Sequence, residues 1–367
     1  MVLNRASAFG TGLAAVTLVV LVILDIVTPD GKVVMAPLFA LSPLIACAVL
    51  PAAPTAGFAI GAFLSAVASG FWNHNFETPQ QIVRLVDVAL VSVIAVIVAA
   101  VRVRRERQLG RITTIAEVAQ RAVLPVLPAH ARRVDTAVRY VSAAQDAVIG
   151  GDLYDCYHSR THTRFLIGDV RGKGIGAVEQ AARVIRAFRQ AAAIQSDLDS
   201  VAEDMSGYLA SFFDDEEFVT ALLVDTTDPG CLTLVSAGHL PPILIHPDGT
   251  AEFLLDTASG LPLGLGDRYA SHTVRWQPGD RLLLYTDGLS EARDADGEFM
   301  DLLTLAPLLA DEPLDGALDR LLDAVVEHVV AGELGDDLAV MLLEHTTGTR
   351  EYLPVEGEHD WRTSLAR

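Results

Sequence analysis

The 367-residue sequence predicts an α+β domain built from antiparallel sheets and separate helical layers, preceded by an all-α transmembrane bundle. Three observations predict it. Roughly the first hundred residues are dominated by Ala, Val, Leu and Ile, and from Arg102 onward charges appear at the density of a soluble protein. Past Ala131, strand-like runs come in neighbouring groups joined by turn sequences such as Asp228-Pro229-Gly230 and Pro247-Asp248-Gly249. Helical patterns occupy separate blocks between those groups, which argues against a doubly wound parallel sheet.

The membrane domain is expected over residues 1–101. Four apolar stretches, roughly 8–27, 33–50, 54–71 and 82–101, approach the about 17–25 residues a helix needs to cross the hydrocarbon core. Pro29, Asp30 and Gly31 separate the first two, and Pro51 and Pro54 mark a tight turn before the third. The first stretch is too long, and lacks a small-residue cleavage site, for a removed leader. Arg102, Arg104, Arg105, Arg107 and Arg111 crowd the end of the fourth stretch, which by the positive-inside rule places that end in the cytoplasm. Four spans put the N-terminus there too, in agreement with Arg5. The protein is thus expected to be multi-pass in a bacterial-type inner (plasma) membrane, with its C-terminal domain cytoplasmic. Asp25 and Asp87 stand within or beside apolar stretches, where a carboxylate either serves function or is paired within the bundle. The loops between spans are too short for an extracellular sensory domain.

Residues 102–130 read as a helical connector, helical over 104–123 and stopped by Pro125 and Pro128. Leu109, Ile112, Ala116, Ala119 and Val123 recur at three-four spacing. Two copies could pair along that stripe as a short coiled coil, giving a homodimer; packing of the stripe on its own domain is the equal alternative.

Residues 131–346 form the expected catalytic domain, and 347–367 a polar tail expected to be disordered. Strands are expected at 137–143, 164–169, 218–225, 232–237, 243–246, 281–286 and 338–344, and helices at 174–193, 198–213, 301–309 and 314–330. The formal charge of −20 argues against nucleic acid as a partner, since phosphate backbones call for clustered Lys and Arg. Cys47, Cys156 and Cys231 lack any paired spacing and are read as reduced thiols.

Asp152, Asp169, Asp287 and Asp336 each stand at a strand boundary beside glycine, where backbone can approach a ligand closely. Converging carboxylates repel one another unless cations neutralise them, and hard Mg²⁺ or Mn²⁺ take oxygen donors. Each Asp-Gly pair taken singly is also an ordinary turn, and spacing alone does not bring the four together.

The segments Gly150-Gly151-Asp152-Leu153-Tyr154-Asp155, Gly168-Asp169-Val170-Arg171-Gly172-Lys173-Gly174, Ser236-Ala237-Gly238-His239-Leu240-Pro241-Pro242, Tyr285-Thr286-Asp287-Gly288 and Gly335-Asp336-Asp337-Leu338 occur in the order found in the PPM phosphatases. The chain resembles this protein phosphatase type 2C superfamily over about residues 116–344, and its bacterial SpoIIE-like branch in particular. The resemblance implies two antiparallel β-sheets sandwiched between helical layers, and two divalent cations, Mn²⁺ or Mg²⁺, at one end. It implies Asp169 as the bridging carboxylate, the Val170 carbonyl beside it, and Asp152, Asp287 and Asp336 as the remaining ligands. The implied activity is hydrolysis of phosphoserine or phosphothreonine on a regulatory protein, in this branch an anti-sigma-factor antagonist, by two-metal-activated water.

Departures and open positions remain. Ser236 stands where the family often has Asn. Arg171 is a candidate phosphate contact or a solvent-facing arginine, in a chain without a clear counterpart of the eukaryotic phosphate-binding arginine. Asp155 and Gly288 are candidates for supporting the ligands, and His239 for substrate contact or loop stabilisation. Lys173 between glycines lacks the rest of a P-loop. The rival from another class is a catalytically silent membrane receptor that uses the domain only to bind partners.

Overall fold

The computed structural model divides into two compact units, Met1–Arg111 and Ile112–Arg367. It describes all residues except 1, 29–35, 75, 143–149, 215–216, 256–259, 311–312, 330–333 and 355–367, and at 2–6, 109, 111–119, 121–122 and 349–354 it describes the backbone alone.

The first unit is helical: α1 (Val2–Val27), a 3-10 turn (Ala36–Ala40) leading into α2 (Leu41–Val49), α3 (Ala52–Trp72) and the start of the 45-residue α4 (Pro79–Val123). The helices meet through alanine, with Ala14, Ala46, Ala62, Ala66, Ala95 and Ala99 buried, while Val16, Val19, Ile23, Ile60, Leu90 and Val93 face outward. Small residues inside and branched apolar ones outside is the pattern of helices packed in lipid. Among the described residues, Ser7–Val27, Ala52–Trp72 and Pro79–Gln108 are long and apolar enough to cross a membrane.

The stretch expected over 33–50 is shorter. It holds a five-residue 3-10 turn and a nine-residue helix; residues 33–35 lie outside those described. Pro37 restricts regular helix before α2, Pro43 is tolerated in its first turn, and Leu50, extended ahead of Pro51, ends it. At 1.5 Å per residue α2 itself covers about 14 Å, against the about 30 Å of a hydrocarbon core.

This segment still turns the chain back. Ala14 packs with Ala46 and Leu50, and Arg102 donates to Ala48 O (2.9 Å) and Leu50 O (3.0 Å). The N-terminal half of α1, the C-terminal end of α2 and Arg102 therefore share one level of the bundle. At the far end of α1, Asp25 is 2% exposed and accepts hydrogen bonds from Ser69 Oγ (2.5 Å), Trp72 Nε1 (2.9 Å) and Asn73 Nδ2 (3.1 Å). Asp25 is thus paired within the bundle; Asp87 is exposed on α4.

The second unit has ten strands: β1 (Pro128–Val141), β2 (Asp152–His158), β3 (Thr163–Val170), β4 (Val219–Asp225), β5 (Cys231–Ala237), β6 (Ile243–Ile245), β7 (Ala251–Phe253), β8 (His272–Arg275), β9 (Arg281–Tyr285) and β10 (Leu338–Pro354). They form two antiparallel sheets, ordered β1-β10-β9-β6-β7 and β2-β3-β4-β5-β8. Helices α5 (Ile175–Ile194) and α6 (Leu198–Ala210) cover the second sheet; the short α7 (Asp287–Ser290) and α8 (Ala306–Ala310), with α9 (Leu314–His328), cover the first.

Side-chain alternation builds three cores. Along β10, Leu338, Val340 and Leu342 face helices, and Ala339, Met341 and Leu343 face the other sheet. Phe165 and Ile167 of β3 join the layer between sheets, and Leu166 joins the layer under α5 and α6. Strands buried on both faces read as unbroken apolar runs, which is why Leu282–Leu284 shows no alternation. The expected sandwich of two antiparallel sheets between helical layers is present. The tail expected from 347 differs: β10 continues to Pro354 because Pro128–Arg132 of β1 gives it a partner.

Arg164, fully buried at the start of β3, fastens the layers. Its Nε bonds Asp225 Oδ2 (2.8 Å), and its Nη groups donate to Ala192 O, Gln195 O and Ser196 O at the end of α5.

Candidate metal centre

Asp152 opens β2 and Asp169 lies near the end of β3, and the two are direct cross-strand partners. Both share the inner-face register of their strands, Asp152 with Tyr154 and Asp169 with Phe165 and Ile167. Like charges set opposite one another destabilise a sheet, so the pairing has a cost that structure alone does not offset. Asp287 enters from the other sheet, as the first residue of α7 directly after β9. One carboxylate oxygen from each of Asp152, Asp169 and Asp287 lies within 4.8 Å of the others.

The electrostatics follow from that convergence. Burial and then the neighbouring Asp169 charge push Asp152 well above the usual carboxylate range, against a hydrogen bond from Thr286 Oγ1 at 2.7 Å. Asp169 is raised by burial and by Asp287 and Asp336; Asp287 is raised by burial and Asp336. A cluster of hard oxygen donors that resists ionisation fits a hard divalent cation, which would restore the ionised form. Asp336 stands beside this cluster and outside the 4.8 Å group. Its Oδ1 accepts the Asp337 N–H (2.9 Å), and its Oδ2 pairs with Lys173 Nζ (3.0 Å).

Glycines make the approach possible. A Cβ at Gly151 would fall 2.3 Å from Val170 O, and one at Gly288 would fall 2.0 Å from Asp337 O. The Val170 carbonyl is therefore packed beside Asp152, and Gly288 lets the first turn of α7 lie on the start of β10.

The other expected residues have definite places. His239 is buried; its ring nitrogens lie 3.1 Å from Thr220 Oγ1 and 3.1 Å from Tyr285 O. It bridges β4, at the residue opposite Asp169, to the end of β9 just before Thr286-Asp287, and so stabilises loops. Ser236 Oγ donates to His239 O at 3.1 Å. Asp155 is three residues from Asp152 and on the opposite face. It takes Nε and Nη2 of Arg189 on α5 at 2.6 and 3.0 Å, so its expected support of Asp152 is replaced by a helix contact. The guanidinium of Arg171 lies over the Phe218 ring, 5.2 Å from its centroid.

Two supports stand inside the quoted motifs, but their roles depend on distant partners. Thr286 receives the Ala339 N–H at 2.8 Å while donating to Asp152, which locks both sheets to one ligand. Asp337 is buried and accepts the Gly150 N–H (2.9 Å) and the Tyr140 hydroxyl. Gln120 Nε2 donates in turn to Tyr140 Oη (2.6 Å) and Gly150 O (3.1 Å).

With the geometry in place, comparison with known proteins decides the family. The sequence profile of the family described as Stage II sporulation protein E (SpoIIE) matches residues 159–346, just over half of the chain. The chain belongs to the SpoIIE family. This is the bacterial branch of the PPM, or type 2C, phosphatases. The SpoIIE domain is similar to phosphoserine phosphatase RsbP of Bacillus subtilis, 26% identical over 213 residues that cover 56% of this chain and 51% of RsbP. The chain thus spans about half the length of that relative. Among solved structures it is similar to the SiaA-PP2C domain of Pseudomonas aeruginosa (20% identity, TM-score 0.56, 65% of this chain and 98% of that one). It is also similar to the RsbU and RsbW domains of Rv1364c from Mycobacterium tuberculosis (24% identity, TM-score 0.54, 62% and 64%). Those structural likenesses establish the shared fold.

Proposed function

We propose that this chain is a membrane-anchored, divalent-cation-dependent phosphatase that removes phosphate from serine or threonine of a regulatory protein. The observation that carries the reading is the convergence of Asp152, Asp169 and Asp287 from both sheets at one end of the sandwich. The relative named a phosphoserine phosphatase supports the choice of substrate group, and the branch resemblance supports a phosphorylated anti-sigma-factor antagonist as the substrate protein.

Asp169, Asp152, Asp287, Asp336 and the Val170 carbonyl would hold two cations, Mn²⁺ or Mg²⁺. When bound, such a pair supplies Lewis acidity to the phosphoryl oxygens and an activated water for in-line attack. The chain's own groups do the positioning. Thr286 fixes the rotamer of Asp152, His239 holds the strand ends carrying Asp169 and Asp287, and Gly150, Gly151 and Gly288 keep the approach open. Hydrolysis yields inorganic phosphate and a free hydroxyl.

The first unit anchors the domain. Arg102, Arg104, Arg105 and Arg107 mark the cytoplasmic end of α4, which sets the catalytic unit in the cytoplasm. The stripe proposed for a homodimer, Leu109, Ile112, Ala116, Ala119 and Val123, lies outside the described side chains except at Val123.

The test is phosphate release from a phosphoserine peptide by the full chain in nanodiscs with Mn²⁺. Asp287→Asn is expected to lose on the order of a hundredfold or more, the scale on which removal of one charge-stabilising group acts. Equal rates for the two proteins, or full activity in a chelator, sink the reading. No activity in the wild type on any phosphoprotein, despite Mn²⁺ binding, favours the silent receptor.

A further inference from the structure

Lys173 lies between Gly172 and Gly174, whose φ angles of 112° and 91° give the loop before α5 a path that other residues rarely follow. Its Nζ stands 3.0 Å from Asp336 Oδ2, with both side chains partly exposed. Asp336 stands beside the group formed by Asp152, Asp169 and Asp287, so the ammonium meets the acidic cluster through the Asp336 carboxylate. Arg171, two residues earlier, is turned to the Phe218 ring. Among the described residues, Lys173 is the basic side chain that meets the cluster.

A carboxylate oxygen held by an ammonium is a poorer ligand for a divalent cation, because the cation must share the oxygen and sit beside a like charge. An ammonium displaced by that cation would remain within reach of a phosphate oxygen presented at the same edge. We propose that Lys173 sets cation occupancy at Asp336 and couples it to phosphate binding. The tether on Asp336 weakens the cation nearest to it, and release of Lys173 supplies the phosphate contact for which Arg171 was the sequence candidate. The inference rests on the phosphatase reading above and adds the residue that regulates the site.

The test uses the full chain in nanodiscs, with Mn²⁺ alone and then inorganic phosphate as probes. Free Mn²⁺ is followed by electron paramagnetic resonance for the wild type, Lys173→Met and Lys173→Arg. Lys173→Met is expected to bind its weaker Mn²⁺ about tenfold more tightly, the scale of outer-shell effects on metal affinity, and the gain should shrink at high salt. Lys173→Arg, which keeps the charge, should stay near wild type. In the Mn²⁺-loaded protein, inorganic phosphate should bind about tenfold more weakly to Lys173→Met, within the range for one lost charge-assisted hydrogen bond. Unchanged or weakened Mn²⁺ affinity in Lys173→Met, or unchanged phosphate affinity, overturns the proposal while leaving the phosphatase reading intact if the wild type is active. A wild type that binds no Mn²⁺ and releases no phosphate overturns both.

Discussion

A neutral imidazole held between two sheets makes stability depend on pH. His239 is 7% exposed, and burial lowers its pKa to about 4. With Nε2–H donated to Tyr285 O, Nδ1 is left to accept from Thr220 Oγ1, so a second proton would lose that bond. The unfolded chain titrates near 6.5. Above that pH the contribution is complete; as pH falls from 6.5 towards 4 the unfolded chain takes up a proton that the folded one refuses. Stability should drop by about 3 kcal/mol over that interval. Urea midpoints at pH 7 and pH 4.5 should show a steeper loss for wild type than for His239→Gln; parallel losses would contradict it. At this scale the aspartates were legible because an Asp-Gly at a strand end is visible locally. Thr286 and Asp337 were not, since their importance depends on partners 134 and 187 residues away. Asp155 misled because period-two alternation places it on the opposite face from Asp152.

The β2–β3 ladder sets two carboxylates opposite each other at the end of the sandwich. Removing one charge should relieve the repulsion, so Asp152→Asn is expected to stabilise the cation-free protein by about 0.2–1 kcal/mol, the range for a cross-strand pair. Asn still accepts from Thr286 Oγ1, which keeps the loop in place. Mn²⁺ at a hundred times its Kd should stabilise the wild type by about 2.7 kcal/mol, and Asp152→Asn by much less. Thermal unfolding with and without Mn²⁺ reads both effects; an equal gain in the two proteins would refute the ligand role of Asp152. Long apolar elements such as β3, β4, β9, β10, α5 and α9 were legible from the sequence. Strand β2 was not, because Asp152, Asp155 and His158 interrupt its apolar pattern. The edge strands β7 and β8 were also missed: each has only three or four residues, and edge positions do not require apolar side chains. The end of β10 was read as tail because its pairing partner, Pro128–Arg132, is more than two hundred residues away in the chain.

At the scale of the whole chain, the composition break at Arg102 predicted a membrane part and a soluble part, and the structure separates two units near that point. The number of passes was less legible, because the proline-rich segment before Leu50 carries helical hydropathy without helical length. The shared level of Ala14, Leu50 and Arg102 predicts an even number of passes. Single cysteines placed at Ser7 and Gln108 in a background lacking all three native cysteines (Cys47→Ala, Cys156→Ala and Cys231→Ala) should label from the same side of sealed vesicles; labelling from opposite sides would mean that α2 does not return the chain. Asp25 carries a further consequence for the order of biogenesis. Among the described residues, its donors Ser69, Trp72 and Asn73 are 44 to 48 residues downstream, so a ribosome delivers the carboxylate well before these three partners. These α1–α3 contacts of Asp25 can form only once α3 has been made. Asp25 therefore acts as a timing mark, tying the seating of the first helix to synthesis of the third.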